Sequence, residues 1–389
     1  MRLVSFLLFL AAFGGASFFA HWTIASWGMR AFPTLRKNRR WLFAIVGVLV
    51  VMTPLARMAA RRTRTGFASE LSAFTVFELM VVVFSVVPLL VVRLVSKTAP
   101  PTKPQETSDE AAVGRREMIE RVGGAAALGL TGGVFGWGMV RGRHAFEIEE
   151  VVVKIVGLPR ALEGYTIAQI SDIHTGVFVQ ERELAEGLDR VREIRPDLLV
   201  ATGDLIDFDP VWAPLLARSL ADVKTRDGVV AIVGNHDYYT GVNAVIGALR
   251  DAGVDVLLNA GRRVRPRDGG GFALLGIDDL SARGAGGAGP KLDLAMAMVP
   301  PDVPRILLAH QPQYLGHAAG KVALQLSGHT HGGQINPGFR PAGLFLPYVA
   351  GRYERNGTTL WVNRGFGVAG PPARVGAPPE VTKIVLVSA

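Results

Sequence analysis

Residues 198–207 read Leu-Leu-Val-Ala-Thr-Gly-Asp-Leu-Ile-Asp, an apolar run that ends in a glycine and two carboxylates. An unbroken apolar run of this kind indicates a strand buried on both faces, as in a sheet that helices cover. The acidic residues follow the end of the predicted strand, where open α/β sheets carry their functional side chains. The stretch therefore predicts an α/β domain with polar chemistry at the carboxyl ends of its strands.

Four other apolar runs in the C-terminal part of the chain also end in polar motifs. They are Ser171-Asp172-Ile173-His174, Gly234-Asn235-His236-Asp237, Ala309-His310-Gln311-Pro312 and Ser327-Gly328-His329-Thr330-His331-Gly332-Gly333-Gln334. The chain holds eight histidines, and five of the six beyond residue 150 lie in these motifs. A single histidine after a strand is more often a packing residue, but five in this position indicate a common site.

The residue types in these motifs suit a metal centre. Asp172 and His174 are two residues apart, so an extended segment turns both side chains to one face, and His329 and His331 repeat that spacing. Carboxylate and imidazole without thiolate favour Mn²⁺, Fe²⁺ or Zn²⁺, and the chain contains no cysteine. Seven candidate ligands exceed the needs of one ion, so we expect two ions, with Asp204 able to bridge them.

Short apolar runs and helix-like stretches alternate from about residue 150 onward, which predicts sheets covered by helices. The predicted helices include Glu181–Ile194 and Asn243–Ala252. The predicted strands are Glu150–Ile155, Thr166–Ile170, Leu198–Ala201, Val229–Val233, Phe272–Leu275, Ile306–Leu308, Leu324–Leu326, Thr359–Val362 and Val381–Val387.

The five motifs, in this order, resemble those of the calcineurin-like metallophosphoesterases. The pattern is Asp-x-His, Gly-Asp-x-x-Asp, Gly-Asn-His-Asp, a single His and Gly-His-x-His, and it spans most of residues 150–389. The last motif and the Asn-Arg-Gly-Phe-Gly of residues 363–367 look closer to a membrane-associated bacterial branch, some members of which act on phospholipids or UDP-diacylglucosamine. The resemblance implies a four-layer α/β/β/α sandwich with a dinuclear metal centre.

The resemblance also implies a role for each motif residue. Three residues would hold one ion: Asp172, His174 and His331. Three others would hold the second ion, with Asp204 as the bridge: Asn235, His310 and His329. His236 would be the catalytic histidine, which faces the substrate without binding metal. Asp207 would orient His236, and Asp237 is the competing partner.

A centre of this kind hydrolyses phosphoesters. Two ions about 3.5–4 Å apart lower the pKa of a bridging water, and the metal-bound hydroxide attacks phosphorus in line with the leaving oxygen. His236 would donate a proton to that oxygen. We therefore expect a metal-dependent phosphoric ester hydrolase that acts on a phosphodiester or a lipid-linked phosphate. The alternatives are a UDP-diacylglucosamine-type pyrophosphate hydrolase and a non-catalytic protein that senses phosphate or signals at the membrane.

Residues 1–145 predict a transmembrane region with about four helices, which precedes the phosphoesterase domain of residues 146–389. A helix needs about 20 apolar residues to cross a bilayer core of about 30 Å, and four segments are near that length. They are Leu3–Met29, Trp41–Met58, Phe74–Leu94 and Val122–Val140. The sequence thus predicts a multi-pass protein of the cell (inner) membrane, in contact with membrane lipids.

The basic charge of the chain lies in the predicted membrane region. The net charge is +9 at pH 7, and residues 1–150 account for +8 of it. The remaining residues are almost balanced, whereas a protein that binds nucleic acid carries a basic surface against the phosphates. We therefore expect a phosphoester substrate and no nucleic acid.

The basic residues that flank the apolar segments predict the orientation in the membrane. Ten lie in the first and third loops and six on the opposite side, which favours a cytoplasmic location for those two loops. The catalytic domain would then be extracytoplasmic, and it changes sides if the fourth segment does not span. Arg115 and Arg116 precede that segment, either as flanking charges or as a displaced twin-arginine export signal.

Overall fold

The structure is a computed structural model, and it describes residues 2–63, 66–100, 114–264 and 270–389. The chain divides into two compact units, Met1–Met139 and Val140–Ala389. The first unit is helical. Its α-helices are α1 (Arg2–Ala31), α2 (Arg39–Thr63), α3 (Gly66–Thr98), α4 (Arg115–Met118) and α5 (Gly124–Val140), and a π-helical turn, Ile119–Gly123, joins α4 to α5.

Three helices in the described part of the chain are long and apolar enough to cross a membrane. They are Pro33–Ala60, Phe67–Thr98 and Arg115–His144. These helices contain the second, third and fourth predicted segments. The first predicted segment lies in α1, and its N-terminal side chains fall outside the described residues. A fourth span therefore stays a prediction.

Several polar side chains that the helices of the first unit bury have hydrogen-bond partners on a neighbouring helix. His21 Nε2 lies 3.0 Å from Glu78 Oε1. Glu120, which is buried, accepts a hydrogen bond from Ser96 Oγ at 2.8 Å, and its backbone carbonyl accepts one from Trp27 Nε1 at 2.7 Å. Polar groups among apolar helices need such partners, so these contacts fix how the helices pack.

The second unit is built from strands and short helices. Within its described residues the α-helices are α6 (Glu181–Ile194), α7 (Ala213–Ala221), α8 (Asn235–Thr240), α9 (Val242–Asp251), α10 (Leu292–Ala297) and α11 (Leu315–Ala318). The strands are β1 (Glu147–Ile155), β2 (Tyr165–Ile170), β3 (Leu198–Thr202), β4 (Val229–Ile232), β5 (Asp255–Val256), β6 (Ala260–Val264), β7 (Phe272–Gly276), β8 (Arg305–Leu308), β9 (Leu324–Ser327), β10 (Gly351–Arg355), β11 (Thr358–Val362) and β12 (Glu380–Ser388).

The strands form two six-stranded sheets. The first has the order β1-β12-β2-β3-β4-β5, and the second has the order β10-β11-β9-β8-β7-β6. In the first sheet β2, β3 and β4 run parallel, and in the second sheet β7, β8 and β9 run parallel. Parallel neighbours end at the same edge of a sheet, so every polar motif follows a strand end at such an edge.

The two sheets pack face to face, and helices cover the outer face of each sheet. Ile167 and Leu274 belong to a core that both sheets share, whereas their neighbours Ala168 and Leu275 lie in two outer cores beneath helices. A strand points successive side chains to opposite faces, so apolar runs such as these fill the core on both sides of each sheet. The predicted four-layer α/β/β/α sandwich is confirmed.

Candidate metal centre

The polar motifs converge at one edge of the sandwich, where hydrogen bonds join the two sheets. The side chain of Gln169, in β2, donates to the carbonyl of Ser327, in β9, at 3.0 Å. The ring Nδ1 of His310, after β8, lies 2.8 Å from the carbonyl oxygen of Thr202, in β3. These contacts hold the strand ends of one sheet against those of the other, so residues far apart in sequence share one site.

A first cluster brings together three of the predicted ligands, all of them buried: Asp172, His174 and His331. The Nε2 atoms of His174 and His331 lie 3.0 Å apart, and Oδ1 of Asp172 lies 3.4 Å from the latter nitrogen. Asp172 also accepts hydrogen bonds at 2.9 Å from the backbone N–H of His329, which ties the two histidine motifs together.

A second cluster contains Asp204, His310 and His329. Nε2 of His310 lies 3.2 Å from Oδ2 of Asp204 and 3.3 Å from Nδ1 of His329. The same oxygen of Asp204 lies 3.7 Å from Nε2 of His174, a member of the first cluster. The Asp204 carboxylate therefore stands between the two clusters.

Asn235 lies beside the second cluster, at the first residue of α8. A Cβ at the preceding Gly234 would lie 2.3 Å from Oδ1 of Asp204 and 2.9 Å from the ring of His310, so the chain passes directly against this cluster. Asn235 is buried, and among the described residues its Oδ1 has no hydrogen-bond partner. An unpaired buried amide oxygen is costly, and a cation would satisfy it.

His236 lies at the rim of the site, where 21% of its side chain is exposed. Its Nδ1 is 3.6 Å from Oδ1 of Asp207, and the rings of Phe208 and Tyr239 flank it at 5.3 and 5.7 Å between centroids. Unlike the buried His174, His310 and His331, His236 can reach a molecule that enters from solvent.

Asp237, unlike Asp207, is bonded to backbone N–H groups. Its carboxylate accepts hydrogen bonds from the backbone N–H groups of Gly234, Leu205 and Ile206, at 2.8, 3.0 and 3.1 Å. Asp237 therefore fixes the loops after β3 and β4, and Asp207 is the acidic neighbour of the His236 ring.

The site residues adopt an unusual backbone conformation. Five predicted ligands have positive φ values between 50° and 74°: Asp172, His174, Asp204, His329 and His331. The left-handed region costs a non-glycine residue roughly 1–2 kcal/mol, and such strain concentrates at functional sites. Two of the five lie in the Asp-x-His motif and two in the Gly-His-x-His motif, and the fifth is Asp204.

Burial and mutual contact set the proton affinities of the clustered groups. Burial lowers the pKa values of His174, His329 and His331, so neutral rings are favoured. Burial also opposes the charge of His310, but the Asp204 carboxylate outweighs it and raises that pKa to about 10. The Asp204 pKa is correspondingly lowered, chiefly by His310 against the effect of burial.

This donor set fits divalent cations. The Nε2 atoms of His174 and His331 lie 3.0 Å apart, and a cation bound by both lone pairs would remove their mutual repulsion while each ring keeps its proton on Nδ1. The buried Asp204 carboxylate raises the pKa of His310, so it favours a positive charge on the ring. A cation bound by His310 and Asp204 would supply that charge in place of the proton. Imidazole, carboxylate and amide oxygen are ligands of first-row divalent ions.

Arg374 supports the first cluster, and sequence reasoning missed it. The side chain is only 1% exposed, and its guanidinium donates to the carbonyl oxygens of Arg364, Gly367 and Ala377. One of its nitrogens lies 3.4 Å from Nδ1 of His331. Burial lowers its pKa to about 9. The segment around Arg374 is rich in proline, glycine and alanine and carries no motif that marks this arginine.

Gly328 allows the strands to approach at the centre, and we expect its replacement to disrupt the site. A Cβ at Gly328 would lie 1.9 Å from Oγ of Ser171 and 2.2 Å from Oδ2 of Asp172. In the Gly328→Ala variant, displacement of these groups is expected to lower metal content or hydrolysis by about 10–100-fold, as for other residues that support metal ligands. Elemental analysis and a rate measurement on the purified full chain check this.

The matched control is Gly247→Ala, in α9, where a Cβ meets no atom within 4 Å. This variant is expected to keep its metal and its rate, since alanine favours a helix over glycine by about 1 kcal/mol. Equal metal content and equal rates in both variants would contradict the close packing assigned to Gly328.

The fold and the site together define a metallophosphoesterase. The profile of the calcineurin-like phosphoesterase family matches residues 165–333, which include all five motifs. The chain is also 32% identical over 288 residues to "Uncharacterized metallophosphoesterase YkuE" of Bacillus subtilis (strain 168), with 98% of that protein covered and 70% of this chain. The chain belongs to the calcineurin-like metallophosphoesterase family.

A second relative carries a membrane designation in its name. "Transmembrane protein with metallophosphoesterase domain" of Danio rerio is 35% identical over 272 residues, which cover 68% of this chain and 62% of the relative's length. Among solved structures, TT1561 of Thermus thermophilus aligns with a TM-score of 0.37 at 9% identity, over 52% of this chain and 90% of that one. A likeness that slight has no bearing on function.

Proposed function

We propose that the chain is a membrane-anchored phosphoester hydrolase with a dinuclear metal centre. The observation that carries this proposal is the convergence of two donor clusters on the Asp204 carboxylate, with a more exposed histidine at their rim. A protein that only sensed phosphate would have no need of such a histidine beside the two clusters.

The donors divide into two sets around Asp204. One ion would be held by Asp172, His174 and His331. The other would be held by Asn235, His310 and His329, with Asp204 shared between them. When bound, two divalent ions supply Lewis-acid activation of water and neutralise charge on the phosphoryl oxygens. The candidate metals are Mn, Fe and Zn.

The remaining steps fall to side chains that bind no metal. His236 would donate a proton to the leaving oxygen, because its ring is exposed beside both clusters. The Asp207 carboxylate lies near Nδ1 of that ring, on the side away from a substrate bound at Nε2. It would hold the ring in one orientation and stabilise its protonated form, and the pKa of His236 is raised in this direction despite burial.

The substrate would be a phosphodiester or a lipid-linked phosphate, with a UDP-diacylglucosamine-type pyrophosphate as the alternative. Three candidate membrane helices support a location in the cell membrane. The excess of basic residues in the first and third loops supports an extracytoplasmic position of the domain.

The test uses the full chain, purified in detergent and loaded with Mn²⁺, Fe²⁺ or Zn²⁺ in turn. We expect two equivalents of metal per chain and metal-dependent hydrolysis of bis(para-nitrophenyl) phosphate, with phosphomonoesters, phospholipids and UDP-diacylglucosamine compared in the same assay. Binding of two equivalents of metal without hydrolysis of any of these compounds would contradict the hydrolase function and favour the non-catalytic alternative. Binding of a single equivalent would contradict the dinuclear centre.

A further inference from the structure

A loop beside the metal centre exposes an unusual number of apolar side chains. We name residues 337–348, between the last polar motif and β10, the apolar loop. Phe339, Leu344, Phe345 and Leu346 are exposed to 60%, 74%, 84% and 40% of their surfaces. Arg340 is the one charged residue in the apolar loop. Soluble proteins rarely present apolar side chains in such a group, and a group of this kind marks a surface that contacts a protein or a membrane.

Both ends of the apolar loop are attached to the motif that holds His331. Asn336, just before the loop, donates from Nδ2 to the carbonyl of Gly332 at 2.9 Å. Val349, just after the loop, accepts a hydrogen bond from Oγ1 of Thr330. The residues on either side of His331 thus hold the base of the loop beside the metal centre, and the apolar side chains of the loop are exposed.

The chain enters the second unit at this same edge. β1 runs parallel to β12, which runs antiparallel to β2, so β1 begins where β2 ends. The carboxylate of its first residue, Glu147, lies 3.0 Å from the guanidinium of Arg364. The Arg364 side chain packs against Gly332, where an added Cβ would lie 2.8 Å from Cγ of Arg364. The candidate span Arg115–His144 ends three residues earlier, a distance of at most about 10 Å.

These observations point to one partner. At the metal edge, β1 begins three residues after the candidate span Arg115–His144 ends along the chain. The base of the apolar loop is attached at the same edge, and its exposed phenylalanine and leucine side chains with one arginine suit the membrane–water interface. The exposed Phe208 and Tyr239 lie beside His236 at the same edge. We propose that the apolar loop inserts into the lipid bilayer and presents phosphoester headgroups of membrane lipids to the metal centre. Insertion is independent of catalysis, whereas the delivery of headgroups rests on the proposed function.

Insertion is tested with a fluorescent label on a single introduced cysteine, because the chain contains no cysteine of its own. The full-length Phe345→Cys variant, labelled with nitrobenzoxadiazole, is placed in nanodiscs of phosphatidylcholine and phosphatidylglycerol with or without nitroxide-labelled lipid. We expect blue-shifted emission that the nitroxide largely quenches. The control is Val156→Cys, which is 80% exposed just beyond the far end of the nine-residue β1, about 30 Å away. Equal quenching at the two positions would overturn insertion.

Delivery of lipid headgroups is tested with two phosphodiesters that share one reacting group. Hexadecyl para-nitrophenyl phosphate is held in the nanodisc, and methyl para-nitrophenyl phosphate is free in water; in each, water displaces para-nitrophenolate and leaves an alkyl phosphate. Replacing both Leu344 and Phe345 with serine is expected to lower kcat/KM for the hexadecyl ester about tenfold and to leave the methyl ester unchanged. Both side chains are exposed, so folding should not suffer.

The outcomes separate the two proposals. An equal rate of the double variant and the unaltered chain on the hexadecyl ester would overturn lipid delivery, and so would an equal loss on both esters. If the unaltered chain hydrolyses neither ester, the hydrolase function fails, and lipid delivery fails with it. The quenching result decides insertion in either case.

Discussion

The Asp204→Asn variant is expected to lose hydrolysis of bis(para-nitrophenyl) phosphate by about a thousandfold. Asp204 places one carboxylate oxygen 3.2 Å from His310 and 3.7 Å from His174, so its charge serves both donor clusters. Charge stabilisation by a metal ion contributes several kcal/mol to a transition state, and each 1.4 kcal/mol corresponds to about tenfold in rate. The amide would remove this charge, and we expect elemental analysis to find less than the full metal complement.

The substitution keeps the shape of the site. Oδ1 of Asp204 accepts a hydrogen bond from the backbone N–H of His236 at 2.8 Å, and an asparagine oxygen can accept the same bond. The control is Asp293→Asn, because the Asp293 side chain is 91% exposed. This control should keep both metal and rate. A full metal complement and an unaltered rate in Asp204→Asn would show that Asp204 bridges nothing.

The His236→Ala variant is expected to lose about 10²–10⁴-fold in kcat and to keep its metal, since proton transfer by a positioned side chain contributes that much. This pattern separates His236 from the ligands, whose loss should lower the metal content. The loss should be greater for methyl phenyl phosphate than for methyl para-nitrophenyl phosphate. Phenolate is a poor leaving group that needs the proton, whereas para-nitrophenolate leaves without one.

Two variants complete this comparison. His317→Ala removes the one histidine beyond residue 150 that lies outside the motifs, and it should leave both rates unchanged. Asp207→Asn should reduce the rate less than the loss of His236, by about 10–100-fold, because it acts through the orientation of the ring. An equal loss on both phenyl esters in His236→Ala would exclude proton donation, and an unchanged kcat would exclude a catalytic role.

Most of the fold was predictable because the central strands are apolar on both faces. Eight of the nine predicted strands lie within observed strands, and the ninth, Val229–Val233, ends one residue beyond β4. The strands that escaped prediction are β5, β6 and β10. Two of them, β6 and β10, are the outermost strands of the second sheet, and they carry Arg262, Arg263, Arg352 and Arg355. Edge strands are often charged, which protects them from pairing with other chains and hides the apolar pattern.

The grouping of the site residues was predictable in outline, because parallel strands end at a common edge. The motifs alone left two partners open for His236, and the fold distinguishes Asp207, beside the ring, from Asp237, bonded to backbone N–H groups. The support of His331 by Arg374 was not predictable, since 43 residues separate them and no periodic pattern links them. Such contacts depend on how irregular loops fold over the strand ends.

The joining of the two sheets at the metal edge has a consequence for biosynthesis. The strand ends of the first sheet supply donors from Asp172 to Asn235, and those of the second supply donors from His310 to His331. Neither sheet alone supplies both sets of donors, so His331 must have left the ribosome before the complete centre can form. Acquisition of metal would therefore be a late event in synthesis, after the candidate membrane helices have been made.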